Sequence, residues 1–212
     1  TCNVTSFSET LSGVSVAWPK SREVLNNFVD DSSVVTNNNL PFMGVASTFL
    51  KGKIPCRIAR NSFSGELAFE VYVKSDFANT MMDLLWENAK KYDGCLYGLE
   101  ALGALRVEKG HVTAAELDGR VTIDDAGLSK MASTKKSYIG SAMRKRGVLK
   151  NNDREILVGF FPANLKETFN AGTIVCEKNN IKGQGIGRIT SVTYSPELRH
   201  WIGIGFVKGG LD

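Results

Sequence analysis

The segment that most constrains this chain of 212 residues is 66–73 (ELAFEVYV), in which apolar side chains recur at every second position. Successive side chains of a β-strand point to opposite faces, so one face of this strand is wholly apolar (Leu67, Phe69, Val71 and Val73). The other face carries Glu70 and Tyr72. This pattern predicts a sheet with one buried face and one face on which polar groups are available.

Helical and alternating patterns surround this strand. They predict strands at 14–17, 45–50 and 55–60, the last two forming a hairpin around residues 51–53, and helices at 21–28, 76–91 and 97–109. A polar loop at 118–126 follows. Strands mixed with helices in this order indicate an α+β domain.

The pattern changes after about residue 136. Short strand-like segments are then separated by turn residues and no long helix is predicted (155–161, 172–176, 186–193 and 201–207). We therefore expect two domains, an α+β domain over residues 1–136 and a small antiparallel β-barrel over residues 137–212.

Composition excludes several classes of function. The formal charge of +4 is mild and does not demand nucleic acid as a partner. Four cysteines without a CxxC pair and two distant histidines predict no metal site and no disulfide framework. Without a long apolar run, no membrane span is expected, and we predict reduced thiols and a cytoplasmic location. Seven lysines and arginines between residues 135 and 154 form either a solvated surface or an anion-binding patch.

Three further sequence features have alternative interpretations. Glu70 is either a surface carboxylate or an acceptor for the paired N–H groups of a pterin or guanine edge. The glycine-rich run 183–188 (GQGIGR) precedes a strand rather than a helix, so a turn is favoured over a phosphate loop. Glu108, Lys109 and His111 are either an acid–base cluster or residues favoured by the end of a helix.

Several motifs in order resemble the aminomethyltransferase superfamily. Residues 62–70 (SFSGELAFE) resemble its Y-T-G-E-x-G-[FY]-E motif, and residues 97–101 (YGLEA), 105–110 (LRVEKG) and 116–122 (ELDGRVT) follow at the family's spacing. Residues 131–140 (MASTKKSYIG) and 190–203 (TSVTYSPELRHWIG) are similar to runs of heterotetrameric sarcosine oxidase alpha subunits.

The resemblance implies a folate site. Glu70 then binds the pterin ring, Phe63 packs on the folate in place of the usual tyrosine, and His111, Tyr97 and Arg106 are the other expected folate-binding residues. The family's catalytic aspartate falls upstream of Thr1, so the catalytic residue is unknown, and both domains are expected to be incomplete. No metal is implied.

The resemblance also implies an activity. The expected function is the tetrahydrofolate-binding part of a flavin-dependent sarcosine oxidase alpha subunit, which yields 5,10-methylenetetrahydrofolate and does not turn over on its own. FAD, FMN and NAD are expected elsewhere in a complex with beta, gamma and delta subunits. The alternatives are the aminomethyltransferase of glycine cleavage, in which an arginine stands where this chain has Leu102, and a non-catalytic folate-binding protein of iron–sulfur assembly.

Overall fold

The computed structural model describes residues 2–151, 153–180 and 182–209. The described chain separates into two compact units, which divide between Leu102 and Gly103. The predicted domain boundary near residue 136 stays a prediction. The outer ends of the two predicted domains, residue 1 and residues 210–212, lie outside the described residues.

The first unit is a four-stranded antiparallel sheet with two helices. The strands are β1 (Leu11–Ala17), β2 (Val45–Leu50), β3 (Ile54–Ala59) and β4 (Ala68–Lys74), in the order β1-β4-β3-β2. The helices are α1 (Ser21–Asn26) and α2 (Ala78–Lys90), with 3-10 turns at Ser32–Val35 and Ser75–Phe77. The predicted hairpin of β2 and β3 and the predicted strand β4 are confirmed.

The apolar face of β4 lies in the core of this unit. Phe69 and Val71 are fully buried, and they belong to one cluster with Leu25 of α1 and with Met81 and Leu85 of α2. Burial of a side chain as large as Phe69 stabilises the fold by about 2–3 kcal/mol. The sheet is therefore fixed with its apolar face inward, which leaves the opposite face of β4 for other groups.

The second unit is a four-stranded antiparallel sheet. A third helix, α3 (Leu99–Lys109), crosses the division between the units. The strands are β5 (Glu155–Phe160), β6 (Ile174–Val175), β7 (Gly187–Ser195) and β8 (His200–Lys208), in the order β5-β8-β7-β6, and 3-10 turns occur at Ser129–Met131, Met143–Lys145 and Gly147–Lys150. Val107, Ile202 and Ile204 form the core of this unit.

The α+β class and the antiparallel sheet of the second part are confirmed, and among the described residues this sheet is not closed into a barrel. β5 and β6 are the two edges of an open sheet, because neither strand pairs with the other. The glycine-rich run 183–188 leads into β7 rather than into a helix, as the sequence indicates. Its glycines are not at positive φ; a Cβ on Gly187 would instead lie 2.2 Å from the Phe206 carbonyl oxygen, so close strand approach requires glycine there.

Candidate functional site

Glu70 lies on the face of the first sheet opposite the core, as the alternating pattern predicts. Its register partners are Ser15 on β1 and Ala59 on β3, which pair with it from the two sides. Both neighbours are small, so neither side chain extends over the carboxylate. The arrangement leaves a half-buried carboxylate on the face of the sheet opposite the core.

Tyr72 is the polar partner of this carboxylate. It follows two residues later on the same face of β4, and its hydroxyl donates a short hydrogen bond to Glu70 Oε2. That hydrogen bond, burial and the nearby negative charge all raise the pKa of Tyr72. The sequence placed both residues on one face but did not identify this bond; their spacing of two positions was the available signal.

The loop before β4 places Phe63 beside unpaired polar atoms. The Phe63 side chain is 38% exposed, and the loop is closed where Gly65 N–H donates to Ser62 Oγ at 2.9 Å. Two buried atoms, Asn61 Oδ1 and Ser64 Oγ, have no hydrogen-bond partner among the described residues. A buried polar atom without a partner costs about 1–3 kcal/mol, so these two atoms are a local source of instability in the loop.

The remaining predicted folate residues divide between the units. Tyr97, 38% exposed, precedes α3 in the first unit, together with Glu70 and Phe63. Arg106 and His111 lie in the second unit, where the His111 amide donates to the Arg106 carbonyl at 2.8 Å and Arg106 Nη1 donates to the His111 carbonyl at 3.3 Å. Burial chiefly, with Lys109 and Arg106 nearby, lowers the pKa of His111.

Arg106 is engaged by a buried carboxylate that the sequence-based site did not include. Glu116 is fully buried; its Oε2 accepts from Arg106 Nη1 at 2.9 Å and from the Thr113 amide at 2.8 Å. Its Oε1 accepts from the hydroxyls of Thr190 at 2.7 Å and Ser191 at 2.6 Å. Burial alone would raise the pKa of Glu116, but these hydrogen bonds and Arg106 outweigh it and lower the pKa.

A β-bulge explains how two successive hydroxyls reach one carboxylate. Neighbouring residues of a regular strand point to opposite faces, yet the register of β7 shifts between Ile189 and Ser191. The shift brings Thr190 and Ser191 together on Glu116. The spacing Thr113-x-x-Glu116, typical of a capping box, was the only local signal of this cluster.

A cavity of about 350 Å³ lies in the second unit, and none of the five predicted folate residues lines it. Its lining includes Arg154, which is paired with Asp125, and Arg188, which is paired with Glu155. These charges neutralise one another, so the cavity has no strong preference for an anion.

Two other kinds of site are absent from residues 2–151, 153–180 and 182–209. No group of three or more His, Cys, Asp and Glu side chains could hold a metal ion. No helix has both the length and the apolar character needed to cross a membrane.

Family models match both parts of the chain. The model of the GCVT N-terminal domain matches residues 1–136, and that of the glycine cleavage T-protein C-terminal barrel domain matches residues 156–212.

The chain is also similar to curated relatives and to one solved structure. The sarcosine oxidase subunit alpha of Rhizobium meliloti (strain 1021) is 33% identical over 211 residues, which are 98% of this chain and 21% of that protein. An aminomethyltransferase of Halothermothrix orenii is 30% identical over 97% of this chain and 55% of its own length. The glycine cleavage aminomethyltransferase T of Bartonella henselae shares the fold with a TM-score of 0.71 at 22% identity, over 90% of this chain and 49% of that one. The chain thus spans about a fifth of the sarcosine oxidase relative.

Proposed function

This chain belongs to the glycine cleavage T-protein family, and on that premise we propose that it binds tetrahydrofolate through Glu70. The observation that carries the proposal is the position of Glu70 on the open face of the sheet, between Ser15 and Ala59. A carboxylate there can accept two parallel hydrogen bonds from the amino group and ring N–H of a pterin.

Phe63 supplies an apolar surface for the same ligand. Its ring is partly exposed, and aromatic rings stack on planar heterocycles at little conformational cost. Asn61 Oδ1 and Ser64 Oγ of the same loop are buried without a partner among the described residues, so a ligand that opened this loop would gain two hydrogen-bonding groups. Tyr97 adds a second partly exposed ring in this unit.

For the second unit, we propose roles in folate binding for His111 and Arg106. His111 is the residue that contacts folate, as a neutral imidazole whose pKa is lowered chiefly by burial. Arg106 already binds Glu116 and Ser191 and donates to the His111 carbonyl, so its part in the site is to hold His111 in place.

For the whole protein, we propose the activity named for its relatives, the sarcosine oxidase alpha subunit. A flavin held elsewhere in the complex would supply the oxidation of sarcosine, and tetrahydrofolate held by this part would accept the resulting carbon, at the oxidation level of an imine, to give 5,10-methylenetetrahydrofolate. FAD, FMN and NAD then bind outside this chain, with beta, gamma and delta subunits as partners. The work of this chain is to position the folate amine near the incoming carbon.

The aminomethyltransferase activity of glycine cleavage is a second candidate, favoured by the 30% identity to the Halothermothrix orenii protein. Transfer from an aminomethylated lipoyl carrier by the full-length protein would support this candidate. Transfer dependent on sarcosine and flavin supports the oxidase instead.

The folate proposal is tested by titrating the chain with tetrahydrofolate. Glu70→Gln keeps the shape but turns one acceptor into a donor that faces ligand N–H groups. We expect a loss of about 2–3 kcal/mol, or roughly 30- to 150-fold in Kd. Glu87→Gln, on the exposed surface of α2, is the control and should bind like the wild type. Unchanged affinity in Glu70→Gln would reject the proposal.

A further inference from the structure

The bond between Tyr72 and Glu70 is supported by a contact on the neighbouring strand. Tyr72 pairs with Gly13 of β1, and a Cβ on Gly13 would lie 2.7 Å from Tyr72 Cε1 and 2.8 Å from Cδ1. Real Cβ atoms do not approach a ring this closely, so the tyrosine ring lies directly over the Gly13 backbone and only glycine leaves room for it. The ring is therefore confined on the β1 side, from where its hydroxyl reaches Glu70 Oε2.

We propose that Tyr72 is a positioning residue for Glu70, with its ring seated on Gly13 and its hydroxyl fixing one carboxylate oxygen. This inference rests on the proposed function, because it takes Glu70 as the residue that binds the ligand. Each carboxylate oxygen has two lone pairs, so the tyrosine bond leaves acceptor capacity for the two N–H groups of a pterin.

The physical benefit of this hydrogen bond is that the Glu70 carboxylate is oriented before the ligand binds. A free glutamate side chain loses rotamer freedom when it binds, and this loss weakens affinity. Tyr72 confines the carboxylate before the ligand arrives. Tyr72→Phe keeps the ring on Gly13 and removes only the hydroxyl, so we expect Kd for tetrahydrofolate to rise about five- to tenfold. Tyr194→Phe, which removes an exposed hydroxyl on β7, is the matched control and should not change Kd.

Gly13 gives an independent perturbation of the same contact. Gly13→Ala should displace the ring and weaken binding by a similar factor. Gly13→Ala and Tyr72→Phe both break the hydrogen bond between Tyr72 and Glu70. Gly13→Ala should therefore raise Kd little further in a chain that already carries Tyr72→Phe, whereas the two increases in Kd would multiply if they had unrelated causes.

A spectroscopic readout separates positioning from general structural support. Glu70 raises the pKa of Tyr72, so Glu70→Gln should move the tyrosinate absorbance of Tyr72 to lower pH, with Tyr72→Phe subtracted as the blank. The other charged groups on this face are Arg57, the register partner of Tyr72 on β3, and Lys74 on β4. Both remain in each variant, so the difference reports Glu70.

The outcomes distinguish this inference from the proposed function. Loss of tetrahydrofolate binding in Glu70→Gln, with weakened binding in Tyr72→Phe and Gly13→Ala, supports both. Loss in Glu70→Gln with wild-type affinity in Tyr72→Phe overturns the role of Tyr72 and leaves the folate site intact. Wild-type affinity in Glu70→Gln overturns both, and an unshifted Tyr72 titration in Glu70→Gln overturns the contact itself.

Discussion

Replacement of Glu116 by glutamine should destabilise the second unit selectively. Glu116 is fully buried and accepts five hydrogen bonds: two from hydroxyls of β7, one from Arg106, and two from Thr113. In Glu116→Gln the amide nitrogen is best placed toward Thr190 and Ser191, whose hydroxyls can rotate to accept. Arg106, only 12% exposed, then keeps a neutral acceptor but loses its counter-charge.

The expected loss in the free energy of unfolding follows from these contacts. Removal of one partner from a buried ion pair costs about 3–5 kcal/mol, and glutamine retains part of the hydrogen bonding. We therefore expect Glu116→Gln to lower the free energy of unfolding of the second unit by about 2–3 kcal/mol. Glu87→Gln removes an exposed surface pair and should change stability by less than about 1 kcal/mol.

Hydrogen exchange measured by mass spectrometry is the suitable assay, because it resolves the two units. Amides of β7 and β8 should exchange faster in Glu116→Gln, while amides of β4 should keep their protection. Equal protection of β7 in the variant and the wild type would refute the claim that Glu116 stabilises this sheet.

The pH dependence of stability gives a second readout of the same carboxylate. The folded-state pKa of Glu116 lies below its ordinary value of 4.5, so its contribution is present above that pH and is lost as pH falls through the folded-state pKa. In Glu116→Gln, the loss of hydrogen-exchange protection in β7 at acidic pH should be smaller than in the wild type. Part of it should remain, because Asp118 and Asp124, each with a pKa lowered to about 2, contribute in the same direction.

Three other predictions follow from single contacts. Burial raises the pKa of Cys56 to about 11, so alkylation of the native chain at neutral pH should label exposed Cys95 and spare Cys56, as read by peptide mass spectrometry; equal labelling would contradict the burial. Asp124→Asn should speed exchange in the turn that contains Arg144, because both guanidinium bonds to Asp124 are weakened; unchanged exchange would show that the pair does not hold the turn. Ser64→Ala should leave the free energy of unfolding equal or higher, since the buried hydroxyl has no described partner; a loss above about 1 kcal/mol in a urea titration would reveal one.

Local patterns in the sequence predict the parts of the fold that depend on neighbouring residues. The alternation in β4 is enough to place Glu70 away from the core, because a strand has only two faces. The hairpin of β2 and β3 follows from two short strands around a glycine-containing turn. Pairing between distant strands has no such local signal, and among the described residues the edge strands β5 and β6 do not pair with each other.

The polar contacts of the site are less predictable for the same reason. Glu116 receives hydroxyls from residues more than 70 positions away, and only the bulge in β7 allows both to point at it. The spacing of Glu70 and Tyr72 places them on one face, but their hydrogen bond also depends on the ring position that Gly13, on a distant strand, permits. Assignment of Glu70 to a pterin came from the family motif, since the strand pattern alone favoured a surface glutamate.

The most direct test is an experimental structure of this chain with bound tetrahydrofolate. The account predicts the amino group and ring N–H of the pterin within about 2.7–3.0 Å of the Glu70 carboxylate, with the Phe63 ring against the folate. A pterin bound elsewhere, for example in the cavity beside Arg154, with Glu70 in contact only with Tyr72 and solvent, would contradict it.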